Sequence, residues 1–159
     1  MAEPDRHSRL FSHCFVCGPR NPAGLHVTYH RDGPDGCRAE YLARPEHEGW
    51  PGIVHGGLLF TLMDEALAWA ECFAGLHGVT AKAETRFREP VTVGTRLVVT
   101  GRLLGRPRKM VKARSELRRA DDGVLVAELD GTMVLADVSQ WTDEATMPEA
   151  RPPGPADSP

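Results

Sequence analysis

The chain of 159 residues has no apolar run near the roughly 20 residues that a bilayer-spanning helix needs, so no membrane partner is expected. It also lacks a charge excess: 19 Lys and Arg stand against 22 Asp and Glu, for a formal net charge of −3. No global field then draws it to nucleic acid or to an anionic surface. The opening MAEPDRHSRLFSH lacks the apolar centre of a secretory signal, and a cytoplasmic location is expected. There is no GxSxG elbow for a serine nucleophile and no HExxH metal motif. There is no internal repeat. Cysteine is scarce at four residues, Cys14, Cys17, Cys37 and Cys72, and without a secretory signal a disulfide framework is not expected.

Cys14 and Cys17 form CFVCG. A zinc site would need a second ligand pair at matching spacing, and His7, His13 and Cys37 are not fixed together by any pattern. A thioredoxin-like site would need a helix straight after the first cysteine, whereas GPRNPAGL follows. The motif is read as a structural turn, with no metal and no cofactor expected.

What is present is an ordinary globular composition, 41% hydrophobic and 26% charged, in a length that suits one domain. Residues 1–12 and the Pro-rich 137–159 are expected as flexible tails around a domain spanning 13–136. Leu25, Val27 and Tyr29 alternate as in a half-buried strand, DGPDG at 32–36 turns the chain, and 37–43 return. One helix is predicted from Gly56 to Ala74, stopped by Gly75. Its apolar side carries Leu59, Leu62, Ala66, Trp69, Ala70 and Phe73. Three or four strands follow. Val79, Ala81, Ala83, Thr85 and Phe87 alternate along the first, and ADDG at 120–123 turns into the last. Two strands, one long helix and a run of hairpins make an α+β protein, in which a curved antiparallel sheet wraps around a central helix.

The helix start is unusual. VHGGLLFTLMD opens on two glycines, and Ile53, Val54 and His55 before them are not good caps. The first backbone N–H groups of a helix have no partner within it, and glycine lets a ligand approach them closely. With the helix dipole this makes a site for an anion or a developing oxyanion. The glycines also serve a tight turn and close packing, and the local sequence leaves both readings open. Asp64 lies with Thr61, Ala68 and Glu71 on the small or polar side, where an acid is commonly just solvated; Glu65 carries nothing further to single it out.

HGGLLFTLMD, with the aspartate nine residues after the histidine, resembles the PaaI-like (phenylacetic-acid-degradation type) hotdog thioesterases. CFVCGPRNPAGL, PEHEGWPGIVHGG and VTAKAETRFREPVTVGTRL resemble further segments of that family, over roughly residues 13–136. The resemblance implies the hotdog fold and an acyl-CoA thioesterase. It implies that Gly56 gives the oxyanion N–H, that His55 with Gly57 shapes the oxyanion region, and that Asp64 is the catalytic carboxylate. Thr80 matches a Ser or Thr that orients the attacking water. One position departs: the Asn that some relatives place six residues before the histidine is Gly49 here.

A thioester suits this residue set, because its carbonyl is electrophilic and thiolate leaves readily. One carboxylate then suffices as general base or nucleophile. Gly56 and Asp64 are separated by about 12 Å of helix, too far to serve one carbonyl from one chain. A site shared between subunits of a homodimer or homotetramer is expected, as the resemblance also implies. Arg106, Arg108 and Lys109, in RPRK, and Arg88 are candidates for the CoA phosphates. His47 and Trp50 are candidates for the substrate entrance. The alternatives are a non-catalytic acyl-CoA-binding protein and a hotdog dehydratase or hydratase.

Overall fold

A computed structural model describes residues 11–137, so the expected tails at 1–12 and 137–159 lie outside it except for Phe11, Ser12 and Asp137. β1 (His30–Arg31) and β2 (Gly36–Leu42) form the hairpin around DGPDG, and a 3-10 turn at Pro45–His47 leads into β3 (Glu48–Trp50) and β4 (Ile53–Val54). Then come α1 (Gly56–Phe73), β5 (Gly78–Phe87), β6 (Arg96–Gly105), β7 (Met110–Arg119) and β8 (Leu125–Leu135). Six strands make one antiparallel sheet in the order β1-β2-β6-β7-β8-β5, curved around α1; β3 and β4 pair separately. No helix among the described residues is long and apolar enough to cross a membrane.

The strand expected at residues 25–29 is corrected in one respect. Leu25, Val27 and Tyr29 are buried, and His26 and Thr28 are exposed, as the alternation requires. Yet the Leu25 and Val27 N–H groups donate to the Phe15 and Val16 carbonyls, each at 2.9 Å, and His26 turns to φ +56°. These backbone donors are committed to the N-terminal segment, so only His30–Arg31 reaches the sheet.

Leu59, Leu62, Met63, Ala66, Leu67 and Ala70 form the buried face of α1. Each buried leucine contributes roughly 1.5–3 kcal/mol. Met63 and Leu67 take central places that the apolar periodicity assigned to Trp69 and Phe73. Those two rings lie at the flank, half-buried, where Trp69 stacks on Tyr29 at 6.2 Å and meets Phe11 and Phe73 at 5.6 and 5.2 Å. The helix presses hard on the sheet: a Cβ at Gly101 would lie 2.3 Å from the Ala66 carbonyl oxygen, and one at Gly131 would lie 2.2 Å from Leu67 Cδ1. The helix ends one residue before Ala74, in a Schellman turn. Gly75 takes φ +75°, its N–H donates to the Cys72 carbonyl, and the Leu76 N–H donates to the Glu71 carbonyl.

Candidate active site

At the start of α1 the structure corrects the expectation that no side chain caps it. His55 is the N-cap, and its Nδ1 accepts the Gly57 N–H at 2.8 Å. Imidazole is not among the usual capping groups, which is why the sequence did not reveal it. The cap separates the two glycines. The Gly57 N–H is taken, and among the described residues no group accepts the Gly56 N–H, which stays open at the positive end of the helix. Gly49 packs against the same histidine: a Cβ there would lie 2.9 Å from His55 Cα, leaving no room for the asparagine of some relatives.

Two turns into the helix, Asp64 Oδ1 accepts a hydrogen bond from the Thr80 hydroxyl at 2.7 Å. Thr80 lies on β5, and the strand departs from the regular alternation expected of it. A register shift between Thr80 and Lys82 marks a bulge at Ala81. Thr80 meets Asp64, while Phe87 lies 3.6 Å from where a Gly56 Cβ would sit, so both face the helix. They are seven positions apart, an odd number, and a regular pleat would aim them to opposite faces. The bulge restores the match and leaves Val79 46% exposed instead. Sequence periodicity does not carry this signal.

Among the described residues, β5 is the edge of the six-stranded sheet and pairs only with β8. Phe87 is 55% exposed, and Val79, Thr80, Ala81 and Lys82 are exposed as well. Asp64 and Thr80 thus stand beside an open strand edge. The grooves elsewhere, between residues 25–30 and β2 (about 520 Å³) and at the turns 92–95 and 119–122, do not include them.

The other candidate residues are dispersed. The His47 carbonyl accepts the His55 N–H at 2.9 Å, and its ring sits between the Tyr41 hydroxyl and Arg44. Burial, then Arg44, pushes the His47 imidazole below its usual range. Trp50 is 78% exposed on β3. Arg88 pairs with Glu128. Arg106, Arg108 and Lys109 are exposed at the β6–β7 turn. The register Val79–Val134–Met110 places that turn at the Thr80 end of the sheet.

The structure also gathers residues that the sequence left unrelated. Cys14 Sγ and Cys17 Sγ lie 3.4 and 2.9 Å from Glu65 Oε1. Burial, more than the nearby Cys14, pushes the Glu65 carboxyl up to about 8. The contacts span 51 and 48 positions, beyond any local pattern.

Comparisons with known proteins agree with this arrangement. The thioesterase superfamily profile matches residues 51–126, which hold α1, Asp64 and Thr80. Mouse (Mus musculus) acyl-coenzyme A thioesterase 13 is 26% identical over 104 residues, covering 64% of this chain and 74% of the mouse protein. The crystal structure of a thioesterase superfamily protein superposes with a TM-score of 0.73 at 29% identity over 77% of this chain. This chain spans only 60% of that protein's length. A single-residue mutant of the phenylacetic acid degradation protein PaaI from Thermus thermophilus gives 0.63 at 25% identity, covering 69% of this chain and 93% of PaaI. With one long helix held in a curved six-stranded sheet, the chain has the hotdog fold of these thioesterase structures, and its residues 51–126 match the thioesterase superfamily.

Proposed function

We propose that the chain is an acyl-CoA thioesterase that hydrolyses an acyl-CoA to the free acid and coenzyme A, at sites shared between two copies. The observation that carries this reading is the Asp64–Thr80 hydrogen bond beside an open strand edge, with an uncommitted Gly56 N–H at the start of the same helix. The acyl-CoA activity named for the mouse relative supports the substrate class.

A reacting carbonyl must lie about 3 Å from both its nucleophile and its oxyanion donor. The roughly 12 Å of helix between Gly56 and Asp64 forbids this within one chain. Antiparallel pairing of β5 with a second β5, about a dyad at Glu84, sets Thr80 opposite the partner's Phe87, because the bulged Ala81 takes no place in the register. Phe87 packs beside Gly56 in its own chain. Asp64 then meets the partner's Gly56, and two equivalent sites form in each dimer. The same pairing satisfies the edge and covers Phe87 and Val79.

In this site Thr80 holds one carboxylate oxygen of Asp64 and leaves the other for water. Water oxygen attacks the thioester carbon, Asp64 takes its proton, and the carbonyl oxygen becomes an oxyanion at the Gly56 N–H. One such donor is worth about 3–4 kcal/mol in other enzymes. The oxyanion then collapses, the C–S bond breaks, and the thiolate recovers the proton from Asp64. In the variant route Asp64 attacks first, and water hydrolyses the resulting anhydride. His55, by occupying Gly57, keeps a single N–H directed outward. Arg106, Arg108 and Lys109 meet the CoA phosphates at the Thr80 end, and Arg88 approaches from the partner's side. His47 and Trp50 shape the entrance.

The test is a thiol-release assay across short, long and aromatic acyl-CoA substrates, with oligomeric state measured alongside. Turnover of at least one of these classes by a dimer or tetramer is expected. Ligand binding without thiol release would favour a carrier, and water addition to an enoyl thioester would favour a hydratase.

A further inference from the structure

Behind Asp64, on the other side of α1, the CFVCG turn meets the helix. Cys14 Sγ, Cys17 Sγ and Glu65 Oε1 all lie within 4.8 Å of one another. The turn is built around the first sulfur. The Val16 N–H donates to Cys14 Sγ at 3.3 Å, and the Gly18 N–H donates to the Cys14 carbonyl at 3.0 Å. Gly18 admits no side chain, since a Cβ would lie 2.4 Å from the Cys14 nitrogen. Backbone N–H groups aimed at sulfur favour thiolate, the form that binds metal. The third donor, a half-buried carboxylate, is held by a helix and points at both sulfurs.

We propose that Cys14, Cys17 and Glu65 bind one zinc-type divalent ion per chain, with solvent in the fourth position. Two thiolates and a carboxylate are a donor set for a borderline-soft tetrahedral ion. Bonds of about 2.3 Å to sulfur and about 2.0 Å to oxygen separate a sulfur and an oxygen ligand by about 3.5 Å in a tetrahedron. The observed sulfur–oxygen separations are 3.4 and 2.9 Å, within about 0.6 Å of that, and the two sulfurs, which such an ion sets about 3.8 Å apart, lie within 4.8 Å of each other. Binding displaces the protons of the two thiols, and of the carboxyl where it is protonated, to solvent. The ion would tie the N-terminal segment to the middle of α1, one residue from Asp64. This site stands apart from the proposed thioester chemistry and does not depend on it.

Tag-free, fully reduced protein is stripped with a chelator and titrated with cobalt(II), then with zinc. The expected result is one cobalt per chain, a sulfur-to-metal charge-transfer band, and displacement of both by one zinc. Zinc should also slow alkylation of Cys14 and Cys17 at least about tenfold, as expected when thiolates are metal ligands. Glu65→Gln keeps both cysteines and should weaken zinc at least about tenfold; Cys14→Ser should abolish the charge-transfer band. The wild-type titration decides the matter even if a cysteine variant fails to fold. Absence of stoichiometric metal, equal zinc affinity in Glu65→Gln, or a Cys14–Cys17 disulfide that forms with zinc present would each overturn the proposal. The last would mark a redox pair instead.

Discussion

Asp64 and Glu65 are neighbours in LMDEAL, and folding gives them opposite surroundings. Successive residues on a helix diverge by about 100°, so one acid faces the exposed edge strand β5 and the other faces the N-terminal segment. Asp64 meets one hydroxyl beside an open edge. Glu65 meets two thiols, and burial raises its carboxyl to about 8. The lesson is that the residue type did not assign these roles. What the rest of the chain brings to each side of the helix did.

Exchange of the acids one at a time should separate them. Asp64→Asn is expected to lower thiol release at least about 100-fold, the range for a lost acid–base group, while circular dichroism stays unchanged. Near-wild-type turnover in the folded variant would remove Asp64 from the chemistry. Thr80→Ala should cost less, about tenfold in kcat, because the hydroxyl positions the carboxylate but carries no charge. A Thr80→Ser variant should recover most of that loss; if serine does not rescue, the hydroxyl is not what Thr80 contributes. Glu65→Gln should keep kcat within about threefold of wild type, since no acid–base step passes through it. A loss as large as that of Asp64→Asn would erase the distinction between the two acids.

A third acid on α1 extends the comparison at the smallest scale. Glu71 is buried, and burial raises its carboxyl to about 7, the Gly78 N–H pulling partly the other way. Its folded-state pKa is above the unfolded value, so its contribution is fully present below about pH 4.5 and is lost as pH rises through about 7. Glu71→Gln mimics the protonated form. Its Tm relative to wild type should rise by a few degrees from pH 5 to pH 8. An unchanged difference between those two pH values would mean that Glu71 does not titrate in this range.

The helix, its stop at Gly75, the hairpin around DGPDG and the four strands after the helix were legible from local pattern alone. The acid at position 64 stood out only through its spacing from HGG, as part of a family resemblance. Three determinants were not legible, each for a physical reason. The His55 cap uses an uncommon acceptor. The bulge at Ala81 inverts strand parity, which alternation cannot register. The meeting of Glu65 with CFVCG is a contact across about a third of the chain.

The shared site makes the most direct demand. Gly56→Pro removes the open N–H, and the chain can take it: His55 lies at φ −62°, ψ 130°, the region favoured before proline, and proline is common at the first helical position. Asp64→Ala removes the carboxylate. Each variant alone should be nearly inactive. When equal amounts exchange subunits, about half of the dimers are mixed, and one of their two sites is intact, so about a quarter of wild-type thiol release should return. Native mass spectrometry verifies the exchange and circular dichroism the fold. Mixed dimers of folded chains that recover no activity would contradict a site built from Gly56 of one chain and Asp64 of the other.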